Sequence, residues 1–138
     1  MNQDVIFAPM GALALLTFAV LGMIPVRRFR AGAAGRVTAA DFRFGESPTV
    51  PGDVSIPNRN YMNLLELPTL FFAVCLMFYV AGRVDRAVLV VAWTFVGLRT
   101  AHSVVHLTYN NVMHRLTAFA AGNVALGVLW VLFFLNPH

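Results

Sequence analysis

The chain has no lysine and a single cysteine; all ten of its basic side chains are arginines. One cysteine excludes an internal disulfide. Cys75 lies in an apolar run with no charge beside it to lower its pKa, so an inert buried thiol is expected. No basic helix and no basic patch interleaved with aromatics is present, which sets nucleic-acid binding aside. The formal charge is only +4. Most of that excess sits in one loop, where it acts on membrane topology. No basic segment precedes the first apolar stretch, and the arginines follow it instead. That stretch therefore reads as a retained membrane helix and not a cleaved signal peptide. No internal repeat and no low-complexity tract occurs.

What is present is apolar surface. Of 138 residues, 59% are hydrophobic, where a soluble domain of this length is nearer half. A single membrane domain is the natural reading. Apolar runs predict helices over about 5–26, 59–81, 86–106 and 116–135, each close to the length that crosses a bilayer. Pro9 falls in the first turns, where proline costs least, and Pro68 should kink the second helix. Gly11 and Gly22 permit close helix approach. The segment 27–57 is a long polar loop rich in glycine and proline, and Phe42 and Phe44 suggest that it folds back onto the bundle or the interface. Gly82 to Asp85 reads as a tight turn between antiparallel neighbours. The expected fold is all-α, a left-handed bundle of four transmembrane helices.

The arginines orient it. Arg27, Arg28, Arg30, Arg36, Arg43, Arg59 and Arg115 fall on one side, with Arg99 close by in depth; only Arg83 and Arg86 fall on the other. The positive-inside rule puts the first group in the cytoplasm and both termini outside it.

Two polar stripes then lie near the same membrane face. Arg59, Asn63 and Glu66 fall at i, i+4 and i+7, and Arg99, His102, His106 and Tyr109 at i, i+3, i+7 and i+10, each set on one helix face. Ionisable groups at this depth are costly and read first as a functional site. Glu66 needs a cationic partner, with Arg99 and Arg115 as candidates. A clamp for a ligand carrying carboxylates and an amine and a structural ion pair between helices both fit. His102 and His106, with His114, have spacing that a metal could use, and haem ligation is a further alternative. No carboxylate or thiolate set accompanies them, so no metal is expected. Arg115 could stabilise a developing thiolate or oxyanion; an interface anchor is the plainer alternative.

Arg59-x-x-x-Asn63-x-x-Glu66 before an aromatic-rich apolar run, then Arg99-Thr-Ala-His102-Ser-Val-Val-His106 and Arg115, resembles the MAPEG superfamily, the membrane-associated proteins of eicosanoid and glutathione metabolism. The likeness covers nearly the whole chain and is closest to bacterial members. It implies a homotrimer of four-helix subunits in a bacterial inner membrane, with glutathione as co-substrate bound between subunits near the cytoplasmic face. Carried over, Arg59, Asn63 and Glu66 match second-helix glutathione contacts, and Arg99 and His102 match the polar start of the third-helix motif. Arg115 matches the arginine that holds the glutathione thiolate. Arg27 or Arg28 matches an arginine that reaches across the subunit interface. The resemblance thus implies a glutathione-dependent transferase or peroxidase acting on lipophilic small molecules from the bilayer; a non-catalytic lipid-binding member is the alternative. There are departures. His106 stands where several members have tyrosine, with Tyr109 one turn on as a substitute. Leu116 replaces the serine of the prostaglandin synthase, and the proline comes early, at Pro68.

Overall fold

A computed structural model describes residues 1–135. Its helices are α1 (Phe7–Ala33), α2 (Gly52–Leu65), α3 (Pro68–Val80), α4 (Arg86–Leu107) and α5 (Val112–Leu135), with short 3-10 turns at Gln3–Ile6 and Ala39–Phe42. Four stretches are long and apolar enough to cross a membrane: Gln3–Ala33, Gly52–Val80, Arg86–Leu107 and Val112–Leu135. The described residues contain no strand. The chain runs up and down. Gln3 exchanges hydrogen bonds with the backbone of Val84 (2.7 and 3.3 Å), and Arg83 donates to the Phe133 carbonyl (2.8 Å), so the N-terminus, the α3–α4 turn and the end of α5 share one end. The long loop and the α4–α5 turn share the other.

Helix ends differ from the sequence expectation, for identifiable reasons. α1 runs through the arginines to Ala33, because nothing from Arg27 to Ala33 breaks it, and Gly35 then turns in a left-handed conformation (φ 72°). The second crossing is two helices, not one kinked helix. Pro68 has no N–H and its ring crowds the preceding turn. The backbone leaves the helical region at Glu66 (φ −79°, ψ −101°), and Pro68 begins α3 in the first-turn position that suits proline. α2 starts at Gly52, earlier than expected, with Pro57 inside it. Pro57 cannot donate to the Asp53 carbonyl four residues back. The Arg27 guanidinium fills that gap at 2.9 Å. α5 starts at Val112, because Asn111 caps it by accepting from the N–H groups of Met113 and His114 (3.0 and 3.1 Å).

The core joins all four crossings. Phe71 of α3 stacks on Phe95 of α4 (4.7 Å), and Phe78 meets Phe133 edge-on (5.2 Å). Such pairs add about 1 kcal/mol each; in lipid, close packing of this kind drives helix association. Cys75 is fully buried in this core. The loop does fold back in part. Val37 and Val50 of the loop, with Val54 of α2, close over Ala31 with Phe42 against them, while Phe44 stays outside, 92% exposed. The backbone N–H of Thr38 holds the Asp41 carboxyl below the usual carboxylate range. What that contact adds to loop order is complete above the ordinary aspartate pKa and is lost as pH falls through the lowered value.

α4 depends on its cap. The Asp85 carboxylate accepts from the Val88 N–H at 2.8 Å, and Asp85→Ala should cost about 1 kcal/mol. The check is the melting temperature of the detergent-purified protein; an unchanged value would mean the cap contributes nothing.

Candidate functional site

The buried face of α4 is one stripe that changes character along its length. Val88, Ala92, Phe95 and Val96 give way to Arg99, His102, Ser103 and His106, all still buried. The polar half is thus a continuation of the core seam, held in place by the same helix packing. α2 meets it through Asn60, which is fully buried. The Ser103 hydroxyl donates to Asn60 Oδ1 (3.0 Å), and Asn60 Nδ2 donates to the Ser103 carbonyl (3.4 Å). This pairing aligns α2 on α4 and leaves Arg59 and Asn63 in the wall of an open cleft.

That cleft has a volume of about 350 Å³, and its walls include Arg59, Asn63, His102, His106, Arg115 and Phe119. Five residues expected for a site from two sequence stripes and a distant arginine therefore meet around one space. Among the described residues no carboxylate lines it. Arg115 sits in the first turn of α5, where a cation opposes the helix dipole. Its Nη1 is steadied by Asn110 Oδ1 at 2.8 Å. Asn110 adopts a left-handed conformation (φ 48°), which asparagine tolerates better than most residues, and so turns α4 into α5. His102 Nδ1 lies 3.1 Å from the Arg115 carbonyl. A carbonyl only accepts, so this nitrogen carries the proton and Nε2 holds the lone pair in the neutral ring. His106 follows one turn on, its ring edge-on to His102 at 5.7 Å.

Arg99 lies one turn deeper, fully buried between the rings of Phe95 and Phe119 (5.3 and 4.9 Å). Nη2 donates to Asn123 Oδ1 at 2.8 Å, while Nε and Nη1 have no partner among the described residues. Gly122 of α5 packs beside it; a Cβ there would stand 3.8 Å from Arg99 Nε, an ordinary van der Waals contact. Cation–π contacts of about 2 kcal/mol when desolvated do not offset the several kcal/mol of burying an ion. Among the described residues no carboxylate pairs with Arg99.

The other expected residues lie elsewhere. Glu66 is exposed at the α2–α3 break. Among the described residues it is bridged to neither Arg99 nor Arg115; the ion pairs are Arg28–Glu46 (3.1 Å) and Arg36–Asp53 (2.7 Å). Tyr109 turns to His114 (OH to Nδ1, 2.9 Å) and is outside the cleft wall. Arg27 is used inside the chain, on the Asp53 and Leu107 carbonyls (2.9 and 3.5 Å), and Arg28 stacks on Phe42 (4.4 Å).

Comparison with known families settles the class. The MAPEG family model matches residues 6–135. The chain belongs to the MAPEG family. No curated protein and no solved structure matches it. The family includes glutathione transferases and peroxidases as well as other members, and membership makes this a multi-pass integral membrane protein with four crossings. Sequence reading of this MAPEG chain missed Asn60, Ser103, Asn123 and Phe119. Asn123 had a signal, as an amide in an otherwise apolar stretch of α5; Phe119 had none.

Asn123→Ala removes the one hydrogen-bond acceptor that Arg99 has among the described residues and should cost at least ~2 kcal/mol. Arg99→Met together with Asn123→Ala should recover much of that loss in melting temperature. Equal destabilisation by the single and double variants would show that Asn123 acts through packing alone.

Proposed function

We propose that the chain is a glutathione-dependent transferase or peroxidase acting on lipophilic electrophiles that reach it through the bilayer. The observation that supports this reading most is the wall of the cleft. Two guanidiniums, two imidazoles and two amides converge there from α2, α4, α5 and the turn before α5, with no carboxylate among them. Such a wall suits a polyanionic hydrogen-bonding ligand. Glutathione has two carboxylates and an ionisable thiol. In this reading Arg59 and Asn63 take a carboxylate end, and Arg115 holds the thiolate, favouring the anion electrostatically.

The assembly is a homotrimer, as the family resemblance implies. A neighbouring subunit then covers the exposed Glu66, which takes the γ-glutamyl amine, and Arg27 or Arg28 contributes from across the interface. Arg99 and His106 complete the polar end, with Tyr109 at its rim. The basic end faces the cytoplasm and both termini face away from it, in a bacterial inner membrane. A non-catalytic lipid-binding role has one observation in its favour. A second cavity of about 680 Å³ between α1 and the loop is mostly apolar, lined by residues such as Ile24, Phe29, Val37 and Phe42 with Arg28 at its side.

Arg115→Ala separates the two. On the catalytic reading it should lower kcat/KM with glutathione and an apolar electrophile by roughly 10²-fold, the scale of losing one oriented charge on a developing anion. The size-exclusion profile should not change. Wild-type turnover in this variant removes Arg115 from the chemistry. No turnover in the wild type with any electrophile, together with lipid binding, favours the second role.

A further inference from the structure

A thiol that becomes a thiolate must give its proton to something, and the cleft offers few acceptors. None of the six acidic residues lines it. Asp41 and Asp53 are engaged in the loop, as is Glu46; Asp85 caps α4 at the far end, where Asp4 also lies, and Glu66 is exposed at the α2–α3 break. Tyr109 is turned to His114. Arg59 from α2 and Arg115 from α5 are cationic, as is Arg99 on α4 itself. Neutral imidazole is the remaining base. His102 is the better defined of the two: 3% exposed, its Nδ1–H fixed on the Arg115 carbonyl, and its Nε2 without a partner among the described residues. A buried lone pair without a donor is costly, and a donor at that position would satisfy it.

We propose that His102 Nε2 is the proton acceptor for the thiol bound beside Arg115, so that the proton is kept in the site and not released to solvent. This rests on the glutathione reading above. The S–H bond breaks, its electron pair stays on sulfur, and an N–H bond forms at Nε2. The imidazolium keeps its Nδ1–H on the Arg115 carbonyl. Moving a proton from sulfur to nitrogen leaves the net charge of the cleft unchanged, whereas expelling the proton to solvent does not. The thiolate then forms its bond to the electrophilic carbon, whose displaced electron pair goes to the leaving group or adjacent carbanion. The Nε2 proton follows it there. The same backbone carbonyl that orients His102 belongs to Arg115, the residue whose side chain holds the thiolate in this reading.

The test is a proton inventory. Glutathione is added to detergent-purified wild type in lightly buffered solution near neutral pH, and the ultraviolet thiolate band is read together with proton release. The expected result is a thiolate band with far less than one proton released per thiolate. One proton released per thiolate in the wild type overturns the proposal, with no variant needed. His102→Asn keeps a donor for the Arg115 carbonyl and lacks Nε2. At S-methylglutathione concentrations that saturate this variant, glutathione should either give no band or release about one proton per thiolate. Retention of both the band and the proton in this variant also overturns it. Wild type that binds S-methylglutathione but forms no thiolate with glutathione sinks this inference while leaving the site; wild type that binds neither sinks the glutathione reading itself.

Discussion

A buried guanidinium in an apolar bundle is the constraint around which this molecule is arranged. Arg99 sits in the seam of α4 with one hydrogen bond, to Asn123, and two aromatic faces. These contacts do not offset what burial costs an ion. The chain tolerates it because the seam stays polar from Arg99 outward, through His102, Ser103 and His106, toward the end where most of the arginines gather. Positive charge accumulates there faster than negative charge answers it. Cations and amides around one open cleft suit an anion, as the proposed glutathione site requires.

The backbone explains why the cleft exists where it does. Two prolines shape the second crossing. Pro57 leaves the Asp53 carbonyl without its helical partner, and Arg27 takes that place while also reaching the last carbonyl of α4. Pro68 splits the crossing and lets α2 and α3 pack on different partners. α2 can then meet the polar half of α4 through Asn60 and Ser103, while α3 meets the apolar half through Phe71 and Phe95. The αL turn at Asn110 and the cap at Asn111 bring Arg115 back over His102. Site and fold are held by the same few polar contacts.

Much of this was legible in the residues themselves. Four apolar runs gave four crossings, and the spacing of Arg59, Asn63, His102 and His106 placed them on stripes that do meet. The family resemblance drawn from those motifs is supported over residues 6–135. What was not legible depended on three-dimensional partners. The second crossing read as one kinked helix, because hydropathy runs through Glu66 and Pro68 without a change, while the backbone breaks there. Glu66 was expected to find Arg99 or Arg115; that break leaves it on the outside of the chain instead. Arg27 read as topogenic or as reaching across an interface, since a missing N–H four residues beyond a carbonyl on another helix leaves no mark in the pattern around the arginine.

The central claim, that the cleft is an anion receptor for a thiol tripeptide, is tested most directly by melting temperature. Wild type in detergent is titrated with glutathione and, in parallel, with its diethyl ester, which keeps the thiol and amine but loses both carboxylate charges. A ligand selective for the folded state adds about 2.7 kcal/mol at a hundred times its Kd. The account expects a saturable rise with glutathione and little or none with the ester. No rise with glutathione, or an equal rise with the ester, would contradict it.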